Sequence, residues 1–561
     1  MTTMQRESAQ ANSRPRIAIV TNHGYGGVDI PVGGAPDTGG QNFYVNSLAR
    51  SLGDLGMEVT IFARGGFPFF KSKRVREGTE QLTDHVRYVY VPGGGNEFLR
   101  KEDIAIALDE EVKWLSRFIC DEAREARVDP WAYFECINTH YWDAAVMGCK
   151  LVERWRDQAA YEFLRETAGG LLKPFLTQFE GDERHRQSLS REIEIFLGRL
   201  ASQAFPQDTA ETMFTRLLGN TPIPEDAAAP SPGTAQSYRA IEHSCATGKI
   251  LADNLAVNGK TLRDIFKEID THVWTPHSIG IIKERNFWNK REETVRKLKF
   301  TERNAHEESV CRHTPLFCST SSEIWRALVS YHGVDPGAVF DFPPCIDHEA
   351  FRPRDDKEKA DAYTYLSDQS GISIDDLKSG LIVFETSRMD RTKRKDLLLD
   401  SFALVAEKLD NVYLFIGGGP ADSETFVQLA DHKKSLPVLE GRAFLLGFIP
   451  EEVIAPLFST ADLFVSASEM EGFGMSVSQA AAAQVAVVSS NLIPFATQYA
   501  RDAALVVEAG DVDGFAQAME RLLTDDTERK RRAKLLKEIA DKMDWKVTTS
   551  DFLKWFRSHC S

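Results

Sequence analysis

A chain of 561 residues and 62.9 kDa is longer than one hydrophobic core usually supports, so at least two domains are expected. Hydrophobic residues make up 42%, as in folded globular proteins, and a net charge of -16 with a pI near 5.4 excludes a broad basic field for nucleic acid, while leaving room for local basic pockets. The opening MTTMQRESAQANSRPR lacks the apolar core of a signal peptide, and no run of roughly 18 apolar residues follows, so a cytoplasmic protein is expected.

After a disordered polar arm over 1–15, Arg16-Ile-Ala-Ile-Val-Thr21 reads as a buried strand. A glycine-dense loop, an amphipathic helix over 41–55 and a second strand at 58–63 follow. Strand, helix, strand with short connections is the βαβ unit of a parallel sheet. Further strands are predicted at 86–91 and 134–138, with a long helix over 102–127 between them. From about 150 to 270, Leu, Phe, Arg and Glu recur at helical spacing and strand-like runs stop, which marks a helical insertion. Inside it, the Pro-rich stretch 222–233 reads as an exposed linker. A second α/β series has strands at 381–385, 412–416, 443–446, 463–465 and 485–489, and the helical end over 531–556 carries Trp545, Phe552, Trp555 and Phe556 as packing anchors.

The expected division is a first domain over 16–355, a second over 356–540 and a C-terminal helix over 541–561 that crosses back to the first. Two doubly wound α/β domains in tandem face each other across a cleft at the carboxyl ends of their strands, where such sheets bind ligands. Eight cysteines (120, 136, 149, 245, 311, 318, 345 and 560) are scattered without a C-x-x-C pair and read as reduced thiols, and no metal site is evident.

Three segments at strand ends carry chemistry. Asp37-Thr-Gly-Gly-Gln41 lies between the first strand and the first helix, where glycines admit close approach to the backbone and free amides at a helix start favour an anion. Gly39 and Gly40 suit a diphosphate there, or simply a tight turn. Ser387-Arg388-Met-Asp390-Arg-Thr-Lys393 follows the strand ending at Glu385, and two cations at that place can hold a diphosphate and stabilise charge building on a leaving group. Arg391, Arg394 and Lys395 read instead as a solvated basic turn. In Glu471-Gly-Phe-Gly-Met475-Ser-Val-Ser-Gln479, a glycine turn opens a helix, so amides near Gly474, Met475 and Ser476 can point at phosphate below a carboxylate that can hold sugar hydroxyls. The loop Phe67-Pro-Phe-Phe70-Lys-Ser-Lys-Arg74 mixes aromatics with cations, a pattern that can dock a membrane surface; in a chain of charge -16 membrane docking is not expected.

These segments, with Thr139-His140-Tyr-Trp-Asp143 and Pro276-His277-Ser-Ile-Gly280, together resemble the family 4 retaining glycosyltransferases, in order and spacing over about 16–149 and 271–556. The likeness is strongest to the sucrose-phosphate-synthase-like branch. It implies a GT-B fold, two Rossmann-like domains facing across a cleft, here with a helical insertion in the first. It also implies transfer of a hexosyl group from a nucleoside-diphosphate sugar, UDP-glucose or GDP-mannose, to a small phosphorylated sugar or polyol. Arg388 and Lys393 would bind the donor diphosphate, Glu471 the transferred sugar, and His140 would lie beside that sugar. Backbone near Gly447 and Phe448 would receive the base. Gln41, Lys101, Tyr141, His277, Lys283 and Arg303 match acceptor positions.

The sequence departs from the family pattern at two places. Gln479 stands where the family commonly has a Glu for the nucleotide ribose; the amide still donates and accepts hydrogen bonds but carries no charge. The insertion has no counterpart in the simple pattern and enters just before His277, on the acceptor side. A nucleotide-sugar epimerase on the same architecture and a non-catalytic nucleotide-sugar-binding protein stand as alternatives; no cofactor is expected beyond the nucleotide sugar as co-substrate, and the sequence does not define the oligomeric state.

Overall fold

The computed structural model describes residues 14–30, 37–70, 72–176, 256–257, 260–287 and 296–560. The expected N-terminal arm, the linker 222–233, Cys245 and the middle of the expected insertion lie outside the described residues.

The first α/β unit begins with β1 (Arg16–Thr21), β2 (Glu58–Arg64), β3 (Gly78–Thr83), β4 (Val86–Val91) and β5 (Cys136–His140). A two-residue hairpin, β6 (Ala256–Val257) and β7 (Lys260–Thr261), precedes β8 (His272–Thr275), β9 (Leu316–Ser319) and β10 (Val339–Asp341). The main sheet runs β10-β9-β8-β5-β1-β2-β4-β3 and is parallel except for the antiparallel edge pair β3 and β4. From β5 the helix Tyr141–Leu176 leads directly into the region expected as an insertion, which returns through the hairpin and the helix Leu262–Ile269.

The second unit holds β11 (Leu381–Thr386), β12 (Val412–Gly417), β13 (Ala443–Gly447), β14 (Leu463–Ser466), β15 (Ala486–Ser490) and β16 (Leu505–Val507). Its order is β13-β12-β11-β14-β15-β16, all parallel. The two doubly wound sheets expected from the sequence are therefore present. Central strands such as β12 are buried almost throughout, which is why their sequences are continuous apolar runs rather than alternating ones.

Several strands differ from expectation for physical reasons. β8, β9 and β10 have three or four residues each, too short for a periodic signal. β3 is an exposed polar edge strand. β5 lies two residues beyond the predicted 134–138, because Phe134 packs against Phe62 below the strand while Asn138, Thr139 and His140 are the buried strand residues.

The chain crosses between units twice, and the crossings run side by side: the Ile346 amide donates to the Met543 carbonyl at 2.9 Å. The last helix, Trp545–Cys560, packs on the first unit, with Trp545 edge-on to Tyr44 at 5.0 Å and Arg557 paired with Glu135 at 2.5 Å. No helix among the described residues is long and apolar enough to cross a membrane.

Candidate active site

In each sheet the strand order reverses between two neighbours, β1 and β5 in the first, β11 and β14 in the second. The loops leaving such a pair diverge and open a crevice. The segments 37–41, 139–143, 387–393 and 471–479 leave these strands, whereas Pro276-His277 follows the adjacent β8, the 67–74 loop follows β2 and Gly447-Phe448 lies at the end of β13.

On the first unit, β5 ends at His140 and the next residue, Tyr141, has a φ of +75°, a left-handed conformation that costs a bulky side chain of order 1–3 kcal/mol. The Trp274 indole N–H holds it by donating to the Tyr141 carbonyl at 3.0 Å. The Tyr141 ring sits among cations: the Arg303 guanidinium lies 4.6 Å and the Lys283 ammonium 5.7 Å from its centroid, and Arg303 Nη1 donates to its hydroxyl at 2.6 Å. Burial alone would raise the Tyr141 phenol, but Arg303, Lys283 and Lys101 hold it below the usual tyrosine range. Arg303 is itself fixed by Glu307 Oε1 at 2.7 Å and the Ser278 carbonyl at 2.6 Å, while Glu307 accepts the Gly280 amide at 2.7 Å. Lys101 completes the cluster, bound to Asp37 Oδ1 at 2.6 Å. A cavity of about 170 Å³ is lined by Lys101, Tyr141, Lys283 and Arg303, with Met470 of the second unit also in its lining.

Beside it, His140 Nδ1 lies 2.9 Å from His277 Nε2, and Gln41 donates to the Thr21 hydroxyl at 3.2 Å at the end of β1. His277 thus contacts His140 rather than the Arg303 cluster. His23, which the sequence reading passed over, follows β1, lies tilted against the Tyr141 ring with centroids 4.2 Å apart and faces the buried Asp143 carboxylate at 3.2 Å. A polar residue directly after a fully buried strand was the available signal. The aromatics of the 67–74 loop face inward: Phe67 and Phe69 are buried around Tyr25, with the Arg76 guanidinium 3.9 Å over Phe69.

On the second unit, Arg388 is exposed just past β11, whereas Lys393 is buried and donates to Glu471 Oε1 at 2.5 Å and to the Met470 carbonyl at 3.3 Å. Gly474 has a φ of +100° and caps the helix Met475–Ala482 without a side-chain cap, leaving its first amides open to an anion. A Cβ at Gly474 would meet Ile493 Cγ2 at 2.4 Å. Met475, Ser476 and Gln479, spaced to share one helix face, are all half-buried. Gly447, with a φ of +64°, accepts the Gly418 amide at 2.7 Å, and Phe448 beside it is 40% exposed.

The reading of Lys395 as part of a solvated turn is corrected. It is 4% exposed, donates to the Ser387 carbonyl at 3.0 Å and the Gly417 carbonyl at 2.5 Å, and pairs with Glu385 at 3.1 Å. Two strands ending side by side leave carbonyls without ladder partners, and a buried ammonium satisfies both. Arg391 and Arg394 do pair with acids at the surface, Arg391 with Glu424 at 3.6 Å.

The two halves face each other. A Cβ on Gly40, the first residue of the helix Gly40–Asp54, would lie 3.2 Å from Met475 Sδ, and one on Gly472 would lie 3.8 Å from the His277 carbonyl. Among the described residues, no three His, Cys, Asp or Glu side chains are grouped as metal ligands would be.

Residues 376–539 match the family described as Glycosyl transferases group 1. A mannosylfructose-phosphate synthase of Agrobacterium fabrum is 24% identical over 486 residues, covering 85% of this chain and 76% of that one. A D-inositol 3-phosphate glycosyltransferase of Stackebrandtia nassauensis is 22% identical over 96% of this chain and 90% of its own. Among solved structures, a sucrose-phosphate synthase from Thermosynechococcus elongatus superposes with a TM-score of 0.58 at 16% identity, covering 97% of this chain and 99% of that one. The chain is thus a glycosyltransferase of the GT-B fold whose second α/β unit carries a glycosyl transferases group 1 domain.

Proposed function

We propose that the protein transfers a hexosyl group from a nucleoside-diphosphate sugar to a hydroxyl of a small phosphorylated sugar or polyol, with retention of anomeric configuration. The observation that carries the acceptor half is the cluster of Lys101, Lys283 and Arg303 around Tyr141, a local basic cavity in an acidic protein. Fixed cations and a hydroxyl in a confined space recognise a phosphate dianion. The names of all three relatives above contain a phosphorylated sugar or polyol, which agrees with it.

In this reading Arg388 and Lys393 hold the diphosphate, aided by the open amides at Gly474, Met475 and Ser476. Glu471 takes the hydroxyls of the transferred sugar, Gln479 the ribose, and the backbone at Gly447 and Phe448 the base. Gly39 and Gly40 let the first unit approach the phosphates closely, and His140 lines the transferred sugar. Gln41 and His277 stand on the acceptor side. Substitution proceeds on the front face: the bond from the anomeric carbon to the diphosphate oxygen breaks as the acceptor oxygen bonds to that carbon, and the acceptor proton passes to the departing diphosphate. Arg388 and Lys393 stabilise the charge that builds there.

The test is a panel of UDP-glucose and GDP-mannose crossed with fructose 6-phosphate, glucose 6-phosphate, inositol 3-phosphate and the matching neutral compounds, with product anomers assigned by NMR. Transfer to a phosphorylated acceptor with retained configuration is expected. Conversion of the donor to a new nucleotide sugar without acceptor, equal use of neutral acceptors, or an inverted product would overturn the proposal.

A further inference from the structure

Asp37 heads the glycine loop, where a carboxylate is out of place if the loop only receives phosphates. Its side chain is 3% exposed and is spent on one neighbour: Oδ1 accepts the Lys101 ammonium at 2.6 Å and Oδ2 accepts the Lys101 backbone amide at 3.1 Å. Arg100 Nη1 stands 3.8 Å away. Burial would raise the Asp37 carboxyl, but Lys101 offsets this and holds it below the usual carboxylate range.

The backbone around it is fixed from both sides. Asp37 has a φ of +52°, a conformation Asp and Asn tolerate better than most residues. Gly24, itself at +80°, makes room for it, since a Cβ there would lie 2.5 Å from the Asp37 carbonyl. The Tyr25 amide donates to the Thr38 hydroxyl at 3.0 Å. Three residues on, Gly40 abuts Met475 at the start of the donor-side helix. One short loop therefore touches both halves of the site.

We propose that Asp37 is a positioning residue that acts on the acceptor through Lys101, fixing that ammonium on the cavity wall while contacting neither substrate. The proposal rests on the acceptor reading given above. A lysine stem has four rotatable bonds and an ammonium has three donors. Asp37 takes one donor and Glu102 stands 3.5 Å from the nitrogen, so a donor remains for a phosphate oxygen. Holding the stem by a second anchor, the Lys101 backbone amide, leaves less motion to be lost when phosphate arrives.

The test is calorimetric titration of inorganic phosphate, and separately of UDP and GDP, into the full-length protein and the variants Asp37→Asn, Asp37→Gly, Lys101→Met and Asp37→Asn/Lys101→Met. Asn keeps the tolerance for positive φ while removing the charge, and Gly removes both charge and strain, so agreement between them separates the carboxylate from loop folding. Phosphate affinity is expected to fall about tenfold in both single Asp37 variants. In the Lys101→Met background, Asp37→Asn should change it less than about twofold, with nucleotide affinity within about twofold throughout. An equal loss in the Lys101→Met background, or a loss confined to nucleotide, overturns the proposal. If Lys101→Met weakens phosphate and the Asp37 variants do not, Asp37 alone loses its role. If wild type binds no phosphate, the acceptor reading falls with it.

Discussion

His277 Nε2 lies 2.9 Å from His140 Nδ1, within hydrogen-bond distance, with the rings nearly parallel and 5.2 Å apart. Burial pushes both well below the usual histidine range, His277 to about 3, and His277 further disfavours charge on His140. A second buried histidine next to β5, His272, is likewise pushed down to about 3 by burial. His140 Nε2 is buried and has no hydrogen-bond partner among the described residues.

These histidines predict the direction of acid sensitivity. The unfolded side chains take up protons near pH 6.5, whereas folded His272 and His277 do so only near 3. Above pH 6.5 they cost nothing; as pH falls through that value toward 3, the unfolded state gains protons the folded state refuses, and stability drops. Each contributes a loss on the order of 2 kcal/mol by pH 5. Thermal unfolding from pH 7.5 to 5 should show a steep fall, and His277→Gln should show a shallower one. An unchanged slope in that variant would contradict the assignment.

Lys393 and Glu471 pair with each other. When donor binds, the ammonium is expected to turn to the diphosphate and the carboxylate to the sugar. Lys393→Ala should lower turnover by a factor on the order of a hundred or more. The double variant with Glu471→Ala should lose less than the product of the two single losses, because the pair acts as one unit. Steady-state kinetics on the four proteins checks both statements.

At Lys283 the proposed function and stability are expected to oppose each other. Burial lowers its ammonium from the usual lysine range; Tyr141 opposes that shift, and Arg303 and Lys101 add to it by repulsion. Lys283→Met should raise the melting temperature of the ligand-free protein, by about 1 kcal/mol in stability, while weakening phosphate binding about tenfold. Differential scanning calorimetry and titration on the same samples read the two effects.

Lys395 and Arg391 are both basic residues of one turn, yet their replacement should differ sharply. Lys395→Met strands the buried Glu385 carboxylate and should cost about 3–5 kcal/mol, whereas Arg391→Ala at the surface should stay within about 0.5 kcal/mol. Urea denaturation distinguishes them.

What the sequence determined by itself is what is local along the chain. A buried parallel strand announces itself by a continuous apolar run, and the residues just past its end necessarily lie at the sheet's carboxyl edge, so β1, β11 and β14 with segments 37–41, 387–393 and 471–479 were legible together. Tertiary structure alone decided the rest. Lys101, Lys283 and Arg303 come from separate segments and become one cavity only because the helices Gly280–Phe287 and Phe300–His313 pack beside Tyr141. The burial of Lys395, the neutrality of the His140 and His277 pair and the turning of Asp37 toward Lys101 depend on neighbours distant in sequence. Charge and hydrogen-bond roles follow solvent access and partners, and a residue's type fixes neither.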